Sequence, residues 1–145
     1  MTTYSLDTSV LISHLRGDRF ANETDSFFRR ALEKKVQLVI SDIVYAELYT
    51  GIYLSSDPQS EETLVQKFLA VNEIEVRRSG SLKIAKRAGQ LYSKHITDQK
   101  GIKRILPDFL IAAQAEAASE AFVTWNLEDY QHLGLKIPVL SPSRS

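Results

Sequence analysis

A chain of 145 residues, 43% hydrophobic and 25% charged, has the size and make-up of one globular domain; neither a disordered tract nor a fibrous repeat suits it. It has no cysteine, which excludes disulfides, thiolate metal sites and cysteine nucleophiles and leaves any metal to oxygen ligands or to His14, His95 and His132. Lys and Arg balance Asp and Glu at 18 each, yet residues 77–104 hold nine basic side chains against the single acid Asp98, a net of +8 that the rest of the chain offsets.

In chain order, residues 4–7 read as a short strand and 9–15 as a helix. Residues 21–35 predict a helix with Phe27, Phe28, Ala31 and Leu32 at core spacing. A second strand is expected at 36–40. Ser41 and Asp42 are good caps for a helix over 43–54, and Asp57 followed by Pro58 opens another that runs to about Ala70. Residues 74–76 read as a strand. The helix over 81–95 divides into an apolar stripe (Leu82, Ala85, Gly89, Tyr92, Ile96) and a basic one (Lys83, Lys86, Arg87, Lys94, with Gln90). A loop over 97–106 precedes a helix opened by Pro107 whose residues 109–118 are apolar on nearly every side. A strand at 122–125, a short helix at 127–133 and a strand at 137–140 follow. Strands alternating with helices predict an α/β single domain, three-layer α/β/α, with a mainly parallel central sheet. The opening MTTYSLDTSVLISHLR lacks a basic leader and a small-residue cleavage site, so the expected location is cytoplasmic.

Three acids stand alone in apolar or neutral surroundings: Asp7 in residues 1–15, Glu47 in 43–56 and Asp108 in 105–115. A carboxylate in core-forming sequence needs a partner or a metal. Asp7 and Asp108 also suit the starts of helices, where an acid caps or meets the helix dipole. Glu47, inside its helix, has no such use, though a Lys or Arg from elsewhere is an alternative partner. Ligands of open parallel sheets bind beyond the carboxyl ends of the strands, where Asp7 ends the first strand and Asn126 and Asp129 follow the fourth. Converging acids repel unless protonated or cation-bound, and hard oxygen donors suit Mg²⁺ or Mn²⁺.

The segments DTSVLI from Asp7, SDIVYAELYTG from Ser41, LPDFLIAAQA from Leu106 and VTWNLEDY from Val123 resemble, in order and spacing, the four acidic motifs of PIN domains. The nearest likeness is to VapC-type toxins of toxin-antitoxin pairs, and it covers essentially all of residues 1–145. The resemblance implies a PIN-like nuclease domain: an Mg²⁺- or Mn²⁺-dependent endoribonuclease with Asp7, Glu47, Asp108 and Asp129 as metal-binding catalytic acids. Ser9, Thr124 and Asn126 are then supporting residues, with Glu128 or Asn126 as alternatives to Asp129 at the fourth position. It further implies an RNA substrate, a cognate antitoxin and a homodimer. The basic stripe of Lys83, Lys86, Arg87 and Lys94 is the candidate RNA contact. The competing reading is a non-catalytic PIN-like module that binds RNA or protein. An aspartate-nucleophile phosphatase would want an acid where the chain has Ser9.

Overall fold

Each of the first three strands is followed by a pair of helices in the computed structural model, which describes residues 1–98 and 104–144. Strand β1 (Thr3–Leu6) precedes α1 (Thr8–Arg16) and α2 (Ala21–Glu33); β2 (Gln37–Ser41) precedes α3 (Asp42–Leu54) and α4 (Pro58–Val71); β3 (Ile74–Arg77) precedes α5 (Leu82–Asp98) and α6 (Leu106–Ala118). After these come β4 (Ala121–Val123), α7 (Leu127–Tyr130) and β5 (Val139–Leu140), with 3-10 turns at Gln131–Leu133 and Pro142–Arg144. All strand pairs are parallel, in the order β3-β2-β1-β4-β5, and the helices flank the sheet as the three-layer expectation required. Of the loop expected over 97–106, residues 99–103 lie outside the described residues, and 97 and 98 belong to α5.

The predicted helix starts are realised by side chains. Ser41 Oγ accepts the Val44 N–H at 3.2 Å and Asp57 Oδ1 accepts that of Ser60 at 3.2 Å, each satisfying a donor with no partner inside its helix. Gly17 closes α1 at φ 62°, a left-handed conformation that costs glycine nothing, and its N–H meets the Ser13 carbonyl at 3.1 Å. Phe27, Phe109, Phe122, Leu6, Leu11 and Ile40 fill the core. Burying each stabilises the fold by roughly 1.5–3 kcal/mol. Among the described residues no helix is long and apolar enough to cross a membrane.

Packing redistributes three faces. Leu32 was expected in the core with Phe27, Phe28 and Ala31, but remains 37% exposed at the end of α2. On α5 the buried face is Ala88, Leu91 and His95, whereas Leu82 is 90% and Ile96 64% exposed. Of the apolar stripe, Leu82, Ala85, Gly89 and Ile96 are therefore exposed, while Tyr92 packs inward, stacked on Phe109 at 5.1 Å. Helical periodicity names candidate faces; the neighbour, here alanine-rich α6, decides which is covered. β4 stops at Val123, short of the expected 125, because Trp125 turns away: its ring stacks on Phe20 at 4.4 Å and its indole N–H donates to Thr24 Oγ1 at 2.9 Å.

The strand order places the site. From β1 the chain runs one way to β2 and β3, then crosses back through α5 and α6 to β4 on the other side of β1. The crevice at the carboxyl ends of β1 and β4 is the topological switch point, where such sheets bind ligands. Asp7 and Thr124 follow those two strands directly.

Candidate active site

Asp7 occupies the cap position of α1 but makes no capping hydrogen bond through its side chain. Its Oδ2 instead accepts the hydroxyls of Thr124 at 2.7 Å and Ser9 at 2.9 Å. Each hydroxyl has one proton, used on Asp7, so the 3.3 Å Ser9–Thr124 approach is a contact between two donors already engaged. Backbone amides orient both: Trp125 N–H donates to Ser9 Oγ at 3.1 Å and Asn126 N–H to Thr124 Oγ1 at 3.0 Å. Glu47 lies on α3, half-buried, with Oε1 accepting the Thr8 hydroxyl at 2.6 Å. Asp108, in the first turn of α6, accepts the Ile105 N–H on Oδ2 at 3.2 Å, so its helix-start role is real. Each of the three acids has one oxygen held by the protein. Among the described residues no hydrogen bond falls on the other.

Their charges act on one another. Burial pushes the Asp7 carboxyl above the usual carboxylate range; the bonds from Thr124 and Ser9 oppose this, Asp108 adds to it and Arg104 subtracts. Burial also raises Glu47, against the Thr8 bond and with the charges of Asp108 and Asp7. Beneath them Tyr130 is buried, its hydroxyl without a hydrogen-bond partner among the described residues, and burial plus the charge of Asp7 pushes that phenol far up.

A stability test follows from Asp7. A carboxyl whose folded pKa is raised binds more protons folded than unfolded, so stability falls as pH rises from its ordinary value through the raised one, and the loss persists above. Asp7→Asn removes that term while Asn still accepts a hydroxyl. In EDTA the variant is expected to melt about 2–4 °C above the parent near neutral pH, equivalent to roughly 1 kcal/mol, with the gap closing toward pH 4. A gap that is absent, or constant across pH, would contradict the buried, strained carboxylate.

The donor set suits a hard divalent cation: three carboxylates, each with an oxygen turned to no protein donor among the described residues, and mutual repulsion to relieve. Among the described residues no three acidic or histidine side chains are already closed to the spacing of one ion, so the acids line the crevice rather than form a finished cage.

A family model for the PIN domain matches residues 4–133. The chain belongs to the PIN-domain family. Solved structures share its fold at low identity. VapBC2 from Rickettsia felis, bound to a DNA fragment from their promoter, aligns at 23% identity and TM-score 0.78 over 96% of this chain and 98% of that one. DNA-bound VapBC from Salmonella typhimurium aligns at 22% and 0.78 over 98% and 99%. FitAcB from Neisseria gonorrhoeae aligns at 22% and 0.70 over 96% and 97%. No curated protein matches the sequence.

In this PIN domain the expected residues separate into groups. Asp7, Glu47, Asp108, Ser9 and Thr124 converge. Asp129 stands beside them, paired with the guanidinium of Arg104. Asn126 caps α7 by position, its side chain making no capping bond, and Glu128 is exposed. In the basic stripe only Lys83 and Lys86 are simply exposed; Lys94 pairs with Asp98 at 3.0 Å, and Arg87 is bound to Glu116 at 2.8 and 3.0 Å. Glu116 lies eight residues beyond Asp108, about 12 Å along α6. The Arg87 end of α5 is thus remote from the acids. Thr8, Arg104 and Tyr130 were missed. Thr8 stands beside Asp7, Arg104 ends the basic run 77–104 and Tyr130 follows Asp129, but only tertiary structure brings the last two to the acids.

Proposed function

We propose that this PIN domain is the toxin of a VapBC-type pair, an endoribonuclease that uses Mg²⁺ or Mn²⁺ and acts in the cytoplasm. The observation that carries the reading is the trio Asp7, Glu47 and Asp108 at the switch point, each tethered by one oxygen with the other left without a protein donor among the described residues. A bound divalent ion supplies charge neutralisation and Lewis acidity toward a phosphodiester. The chain's own part is positional. Thr124 and Ser9 hold Asp7, Thr8 holds Glu47 and the Ile105 amide holds Asp108, which fixes one oxygen of each acid and leaves the other for a cation.

RNA is the substrate of this proposal, and Lys83, Lys86 and Lys94 on α5 supply phosphate contacts without base selection. Lys83→Glu combined with Lys86→Glu is expected to weaken RNA binding and flatten its salt dependence; an unchanged slope removes the stripe from the interface. The partner is a cognate antitoxin, as in a toxin-antitoxin complex from Klebsiella pneumoniae that shares the fold at 24% identity and TM-score 0.64 over 98% of this chain and 99% of that one. The exposed part of the apolar stripe of α5 supports a homodimer, which sedimentation of the purified chain reads directly.

The test of the metal is thermal. An ion that binds the folded acids and hardly binds the unfolded chain adds about 2.7 kcal/mol at 100 times Kd, a rise of roughly 5–10 °C. Melting temperature is expected to climb with Mg²⁺ or Mn²⁺ in the parent and much less in Asp7→Asn. No rise up to tens of millimolar would sink the metal-nuclease reading.

A further inference from the structure

Arg104 is a cation set among acids. Its guanidinium is paired with Asp129, lies 5.9 Å from the Tyr130 ring centre and acts on the charge of Asp7; the two side chains of the pair are 25% and 14% exposed. Its backbone is anchored as well, the Arg104 N–H donating to Nε2 of buried His95 at 3.3 Å. Arg104 therefore enters the site as a held group rather than a trailing surface residue. Asp129 accounts for one of its N–H donors, and a guanidinium has five in a rigid fork that matches a phosphate.

The charges acting on Asp7 are those of Asp108 and Arg104, and those acting on Glu47 are those of Asp108 and Asp7. Asp129 is paired with Arg104. The Asp129 carboxylate has its charge answered by the guanidinium on Oδ2, whereas the three site acids are held only by neutral hydroxyl and amide donors, and an arginine steadied by a carboxylate beside a cation site is placed to grip a phosphate.

We propose that Arg104 binds the phosphate of the RNA backbone at the acidic site, and that Asp129 is its positioning residue rather than a metal ligand. This rests on the nuclease reading above. It separates two roles that the resemblance had merged in one set of four acids.

The experiment uses the full chain and two readouts that do not depend on cleavage. Mn²⁺ affinity is measured by titration of the free protein, and binding of a short single-stranded RNA is measured in EDTA across a salt series. Arg104→Gln is expected to weaken RNA binding about three- to tenfold and to lower the salt slope by about 0.7, the value of one phosphate contact on a single strand, without loss of Mn²⁺ affinity. Asp129→Asn is expected to keep Mn²⁺ affinity within about twofold of the parent and to weaken RNA binding, the double variant being no worse than Arg104→Gln alone. Should Asp129→Asn lose Mn²⁺ affinity tenfold or more, as Asp108→Asn is expected to, or should Arg104→Gln leave the slope unchanged, the assignment is overturned. If the parent binds Mn²⁺ and cuts RNA, either outcome removes this assignment alone. A parent that does neither removes the nuclease reading and this proposal with it.

Discussion

Asp7→Asn and Asp108→Asn are expected to cut RNA at least about 100-fold more slowly than the parent, a loss of about 2.7 kcal/mol or more in transition-state stabilisation, while both remain folded. Asn preserves shape and an acceptor oxygen. At position 108 it still takes the Ile105 amide, and at position 7 it still takes a hydroxyl from Ser9 or Thr124. What each loses is the negative charge. A purely structural Asp tolerates that exchange, since Asn caps a helix equally well, and Asp7 makes no side-chain cap that could be lost. The assay is cleavage of a mixed pool of structured RNAs by purified protein in Mg²⁺, with EDTA as control. Variants that cut like the parent, or parent cleavage that survives EDTA, would place the activity elsewhere.

Glu116→Ala is expected to destabilise the domain by about 2–3 kcal/mol, between the roughly 0–1 of an exposed ion pair and the roughly 3–5 of breaking a buried one. Glu116 takes both arms of the Arg87 guanidinium and the Lys136 N–H at 2.8 Å, which ties α5, α6 and the segment before β5 together. Its side chain is 9% exposed and that of Arg87 22%. Burial pushes the Glu116 carboxyl up, but the Arg87 bonds and the Lys136 amide outweigh it and the net shift is downward. The stability it contributes is therefore present above the ordinary carboxylate value and fades as pH falls through the lowered one. Chemical denaturation of parent and variant at pH 7 measures the cost. A difference under about 0.5 kcal/mol would show Arg87 to be free for RNA, as the basic stripe had suggested.

Arg87 shows where sequence reading stops. Its place among Lys83, Lys86 and Lys94 follows from helical periodicity, but its partner is 29 positions away on a different helix and carries no local mark. The same holds on α5 for His95, buried while Ile96 is exposed, because the covering surface belongs to α6. Asp129 was legible as an acid after the fourth strand. Its pairing with Arg104 was not, for Arg104 reaches it from the start of α6.

Local physics was enough for the elements. Period-3.6 and short apolar runs, Ser41 and Asp57 as caps, and Pro58 and Pro107 at helix openings fixed the alternation, and alternation compels a parallel sheet covered on both faces. The lone acids Asp7, Glu47 and Asp108 were also visible in the chain itself, because an uncompensated charge in apolar sequence is costly enough to require a reason. Tertiary structure alone decided how each acid is held, which cations are already committed and which face of α5 is covered. Those depend on contacts between residues far apart in the chain, and a hydrogen bond or an ion pair has no period by which a sequence could announce it.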